Sequence, residues 1–236
     1  MKEALLNAFT LTGGMWLAIT LVSYLFGLYV HRRLHSHPLS HPLITTAVLV
    51  GVCLYAASVP VPDYQQYAGI LHWLLGPVTV ALALPIYRQW RQLHLYGWRL
   101  AVSIAFGGVL APALAWLAVY FFDAPLAIQF TMLAKSITTP LAMETSAQIG
   151  GIPPLAAVFV IVTGVVGAIF ASGIFTLLNV TNRQAQGIAL GTVAHAVGTA
   201  KAIHMGDDVA AMATLGLCVN GIFTAIVLPL IFTLAA

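Results

Sequence analysis

Two charged side chains, Lys135 and Glu144, stand inside the otherwise apolar stretch Thr131–Pro154, TMLAKSITTPLAMETSAQIGGIPP. An ionisable group at bilayer depth costs about 2.5–3.5 kcal/mol even on the gentlest insertion scale, so such residues face polar cavities and mark ion or substrate paths. The same stretch holds Ser136, Thr138, Thr139, Thr145, Ser146 and Gln148, with Pro140, Gly150, Gly151, Pro153 and Pro154. That mixture is at odds with one smooth, lipid-facing helix. A second polar cluster lies in GTVAHAVGTAK, where Gly191 and Gly198 bracket His195, with Thr192, Thr199 and Lys201 close by.

This set suits the binding of a small anion near the membrane midplane. Lys135 and Lys201 supply cations, and Thr138, Thr139, Thr192, Thr199 and Thr79 supply hydroxyl donors. The N-termini of broken helices add open amides and partial positive charge, which favour a carboxylate. Glu144 and His195, with Gln148, are candidates for coupling to a proton or ion, since carboxyl and imidazole protonation respond to burial. On a continuous helix Lys135 and Glu144 lie on different faces, about 13 Å apart along the axis, and pair only if Thr139–Pro140 breaks it. Bland alternatives stand beside these: a structural Lys–Glu pair, a packing histidine at 195, and a Lys201 that snorkels to the interface.

No GxSxG, HExxH or P-loop is present, so no enzyme, cofactor or metal chemistry is readable. His31, His35, His37 and His41 form an i, i+4, i+6, i+10 series. They read as solvated interfacial histidines rather than metal ligands, because Pro38 and Pro42 interrupt any helix that would fix them.

The elements that position these residues are membrane helices. Of 236 residues 61% are hydrophobic and 6% charged, against about a quarter charged in a soluble domain, which leaves no room for a soluble catalytic or nucleic-acid-binding domain. Apolar runs fall near 12–30, 43–59, 66–86, 100–122, 127–149, 155–178, 186–203 and 209–235, giving eight candidate segments. Five read as plain spans. The other three, 66–86, 127–149 and 186–203, are interrupted by Gly and Pro, the first at Pro77 and Pro85. The N-terminal run is too long for a signal-peptide core and reads as a retained span. Cys53 and Cys218 lie in apolar runs without CxxC spacing and read as buried thiols.

Thr79–Leu84 matches Thr192–Val197 at four of six positions, with an offset of 113 residues that also carries the other runs of the first half onto those of the second. We therefore expect an all-α polytopic protein of two four-segment repeats, about 1–122 and 123–236, forming one transmembrane domain. Paired interrupted segments point to a transporter site where they meet. The basic loops at Arg32–Arg33 and Arg88–Arg99 are cytoplasmic by the positive-inside rule, and Arg183 joins them only if 127–149 makes no net crossing, for example as a hairpin.

Through KSITTPLAMETSAQIGGIPPLAA, GTVAHAVGTAK and LGPVTVALALPIYR, nearly the whole chain resembles the LrgB/CidB family of bacterial membrane proteins, whose relatives include the LrgB-like half of the plastidial glycolate/glycerate translocator. The resemblance implies a multi-pass inner-membrane protein working with a small LrgA/CidA-type partner. Its implied function is either carriage of small carboxylates such as glycolate, glycerate or pyruvate, or antiholin-like regulation of murein hydrolase export and autolysis. It also implies a more distant likeness to inverted-repeat cation/proton antiporters and bile-acid-type carriers. Small-residue faces at Gly107–Gly108 and Gly164–Gly173 suit either a homo-oligomer or packing within one chain.

Overall fold

A computed structural model of the chain describes residues 6–34, 40–81 and 83–235. These form two compact units, 1–80 and 81–236.

In the first unit α1 (Leu11–Arg33) is opened by Thr10, whose hydroxyl accepts from the Gly13 amide at 3.0 Å. It closes on His31, Arg32 and Arg33, cations that suit the negative end of a helix. α2 (Pro42–Ala56) and α3 (Val61–Tyr67) meet at 113°, and α4 (Gly69–Ala81) follows. Buried Trp16 packs edge-on against Tyr64 at 5.8 Å, with Val50 and Leu54 around it. The helix of α4 runs through Pro77 without a break there.

The second unit comprises α5 (Ala83–Arg88), α6 (Trp90–Phe121), α7 (Leu126–Leu133), α8 (Thr139–Gln148), α9 (Pro153–Leu177), α10 (Arg183–Met205) and α11 (Asp207–Ala235). Two of these segments double back. After α8 the chain returns to α7, where the Ile152 amide donates to Thr131 Oγ1 at 2.8 Å and Gly151 packs between Thr131 and Ser146. Within α10 the backbone reverses at His195, φ 40° and ψ −128°. Gly198 then packs against the Leu190 carbonyl and Ala194, and Arg183 at the start reaches the Met205 carbonyl at the end, 2.7 Å. Each arm of α10 is only about 15–18 Å long, half a bilayer.

The two hairpins enter from opposite ends. α6 runs parallel to α11, since Leu100 and Ile104 cluster with Met212 and Leu215 while Gly108 abuts Asn220. α6 therefore delivers the α7–α8 hairpin at the far end of α11, where Phe130 stacks edge-on with Phe232. α9 then runs back, placing Ala156 and Val160 beside Ile137 and Ala142, Gly164 beside His195, and Ala171 beside Leu190. The α10 hairpin starts at the opposite end, clasped to Asp208.

The unit buries a group of polar side chains among its apolar clusters and exposes large apolar ones, as a helix bundle facing lipid does. Thr131, Ser136, Ser146, Thr192, His195 and Asn220 are buried, while Phe106, Val162, Phe170 and Ile226 are exposed. Among the described residues four helices are long and apolar enough to cross a membrane, within 11–33, 94–121, 153–177 and 207–234, with the bent α2–α3 pair as a fifth. Against the five plain spans expected among eight segments, the described residues thus give four, or five if the bent pair is one span. The segments at 127–149 and 186–203 turn back, and 43–59 ends in a sharp bend instead of continuing as a plain span. The 113-residue register lays continuous α1 on the α7–α8 hairpin, two unlike structures. Gly107, Gly108, Gly164 and Gly167 serve close packing within the chain, against Thr192, Asn220, His195 and Ala194.

Candidate functional site

The first hairpin tip spans 134–138. α7 tightens as it ends, the amides of Ala134 and Lys135 reaching back to the Thr131 and Met132 carbonyls at 3.2 and 3.3 Å. Thr138 takes an extended conformation and Pro140, which has no amide to satisfy, starts α8. Between them Lys135 is 9% exposed, and its Nζ donates to Ser136 Oγ at 3.1 Å. No carboxylate balances it: among the described residues the ion pair is Arg183–Asp208. Glu144 lies exposed on α8, its carboxylate accepting from Gln148 Nε2 at 3.0 Å. The Lys135–Glu144 pair is therefore not formed, and Glu144 is not the buried carboxyl that its apolar sequence context implied.

The second tip is His195, 2% exposed. Its Nε2 lies 2.8 Å from the Val160 carbonyl of α9, which accepts the ring N–H. Thr199 Oγ1 donates to the His195 carbonyl at 2.8 Å, so this threonine is engaged in closing the turn. Lys201 sits half-buried further along the returning arm. Thr139 is half-buried at the first turn of α8, and the side chain of Thr79 lies outside the described residues, as do His35 and His37.

The two tips are joined by a residue that the sequence reading passed over. Asn220, 0% exposed, donates from Nδ2 to the Ser136 carbonyl and to the Thr192 carbonyl, 3.0 Å each. Both acceptors lie where a helix has stopped and the usual i+4 amide is missing. A lone Asn in the apolar run LGLCVNGIF was the available signal. Thr131, which pins the end of α8, was likewise not singled out.

Four buried polar side-chain atoms among the described residues have no hydrogen-bond partner: Trp16 Nε1, Thr138 Oγ1, Ser146 Oγ and Thr192 Oγ1. Three of the four lie on the hairpins. Buried hydroxyls are nearly always satisfied, so such a concentration marks groups that a bound molecule or water would complete. Among the described residues no three His, Cys, Asp or Glu side chains group so as to hold a metal ion.

Fold and site together define a polytopic α-helical membrane protein with a buried polar centre where two hairpins meet. The chain belongs to the LrgB-like family, whose profile matches residues 20–234. It is 31% identical to the uncharacterised protein YwbG of Bacillus subtilis strain 168, over 92% of this chain and 96% of that protein. It is 30% identical to proteins named antiholin-like protein LrgB from Bacillus mycoides strain KBAB4 and Bacillus cereus strain B4264, over 94% of this chain and 97% of each. No solved structure matches the chain. The resemblance read from its central motifs is borne out, and the chain is a multi-pass protein of the bacterial inner membrane.

Proposed function

We propose that the protein is a secondary carrier of small monocarboxylates of the pyruvate, glycolate and glycerate class. The observation that carries this reading is Lys135, a buried ammonium at a hairpin tip with a hydroxyl partner and, among the described residues, no counter-charge. A carboxylate there would supply the missing charge, accept from the open amides at the start of α8, and complete the Thr138 and Thr192 hydroxyls. Thr139 and Lys201 are secondary contributors, and Thr199 supports the second tip. Thr79 stays in the proposal from its place in the sequence alone. Coupling is assigned to Glu144 or His195, with Gln148, and His195 also holds its tip through the Val160 carbonyl.

Arg99 and Arg183 fall at one end of the second unit and Asp123 at the other, so the Arg end is cytoplasmic in this proposal. The two-repeat organisation and a small LrgA/CidA-type partner belong to it as well.

A second reading is favoured by the relatives named antiholin-like. On it the chain regulates murein hydrolase export and lysis by assembling in the membrane. Proton-gradient-driven uptake of labelled pyruvate, glycolate and glycerate into proteoliposomes, with and without the partner, separates the two. Saturable, competable flux that falls in Lys135→Ala and Thr139→Ala supports the carrier. Release of large trapped dyes without saturable flux supports the lysis reading, and wild-type flux in both variants removes this site.

A further inference from the structure

We infer that Asn220 is a latch joining the two hairpin tips, a positioning residue that holds the carboxylate site together. Its importance for substrate rests on the carrier reading; its role as latch does not.

Asn220 sits at the middle of α11, 13 residues from Asp207 in a 29-residue helix, hence about 20 Å from that end. Both of its donors are spent on backbone, one hairpin each, so the amide cannot also donate to a substrate. Its Oδ1 accepts from Thr224 at 3.4 Å and is pressed by α6 at Gly108, where a Cβ would collide with it. The side chain is thus held in one orientation by α6 and α11 while it bridges two elements that enter from opposite ends.

The tips have unequal other supports. The α10 tip is also bonded to α9 through His195, and its base is clasped by Arg183 to Asp208 at 2.7 Å twice. At the α7–α8 tip the bond to Ser136 is the cross-element hydrogen bond seen among the described residues; Thr131 to Ile152 and Phe130 to Phe232 act nearer its base. Releasing Asn220 therefore frees the α7–α8 tip first, and with it Lys135 and Thr138. The tips can then no longer close on a ligand as one body.

The test places a reporter cysteine at Ile137, 0% exposed in the tip, in a chain with Cys53→Ala and Cys218→Ala. Labelling by a membrane-impermeant thiol reagent is followed in proteoliposomes without substrate. Asn220→Ala removes the bridge, and Asn220→Asp keeps its size but can donate to at most one of the two carbonyls, and to neither when ionised. Both should raise the labelling rate by about tenfold or more, the population change expected when two buried carbonyls lose their donor. Where uptake is measured, KM should rise by a similar factor while saturated turnover stays within about threefold, a split that general loss of packing would not produce. If Asn220→Ala does not accumulate as folded protein, Asn220→Asp carries the same readout. Labelling within about twofold of the parent in a folded variant overturns the latch, whether or not any carboxylate is transported. Absence of transport with accelerated labelling would sink the carrier reading and leave the latch standing.

Discussion

Replacing Lys135 by Met separates a functional from a structural lysine, because the two roles move stability in opposite directions. The ammonium is 9% exposed with a single serine hydroxyl as partner. An apolar chain of like length removes an uncompensated charge, a change that ranges from neutral to about 4 kcal/mol stabilising when buried ions are replaced. The orphaned Ser136 hydroxyl offsets about 1 kcal/mol of this. Lys135→Met should therefore melt in detergent at the parental temperature or several degrees above it, at about 2–4 °C per kcal/mol for a chain of this size. Carboxylate binding should suffer meanwhile. One charge-assisted hydrogen bond is worth about 1.5–3 kcal/mol, or roughly 10- to 150-fold in apparent affinity. Thermal unfolding and initial uptake rates against substrate concentration read both quantities. A variant that melts lower and takes up substrate with unchanged KM would refute the reasoning, since it would make Lys135 a packing residue with no ligand.

His195 holds a backbone conformation that favours glycine, a strain of about 1–3 kcal/mol; His195→Gly and His195→Ala both lose the side chain's contacts, the Val160 bond among them, but only the glycine relieves the strain, so it should melt higher than the alanine variant. Gly164→Ala should destabilise by about 1–3 kcal/mol through overpacking, because the added methyl would lie 2.7 Å from His195 Cε1 and 2.8 Å from Val197 Cγ2; unchanged melting would show that α9 and the second tip are not in contact. In the first unit burial, and then the nearby His31, hold His41 below its ordinary value of 6.5, and its Nδ1 accepts from the Leu43 amide at 3.4 Å. With the folded value depressed, this contribution is whole above pH about 6.5 and is lost as pH falls through the lowered value; the stability slope below that pH should flatten in His41→Asn, a cap that does not titrate.

Composition was enough to read an all-α membrane protein, because 61% hydrophobic residues in runs of helical span length admit little else. The interruption at 127–149 was legible too, since Pro140, Gly150 and Gly151 break backbone pairing locally. That 186–203 reverses completely was not legible. The turn rests on His195, where a reader of the sequence would expect glycine at positive φ, held there by Val160 and by the close approach of Gly191 to Ala213 and Gly198 to Leu190. Lys135 and its hydroxyl neighbours stood out because charge and Thr/Ser density are visible in one dimension. Asn220 did not, since its role comes from two carbonyls 84 and 28 residues away. Glu144 misled for the same reason: an apolar neighbourhood in sequence says nothing of which side of a short α8 faces outward.

A 60-residue register also relates the two hairpins to each other. It lays Ile128, Ala134, Thr139 and Ala142 on Ile188, Ala194, Thr199 and Ala202, and Lys135 on His195. Each tip then carries one basic side chain, followed four residues later by a threonine. The two tips differ in what the base touches. His195 reaches a backbone carbonyl of α9, a fixed acceptor on a continuous 25-residue helix. Lys135 reaches only the hydroxyl of its own neighbour, which offers no charge and moves with the tip. A basic group bonded to the scaffold anchors its hairpin; one bonded to its own loop still lacks an anion. The same architecture, entered from opposite ends, thus has one tip bonded to the scaffold and one whose charge, in the carrier proposal, a carboxylate would meet, with Asn220 the proposed tie between them.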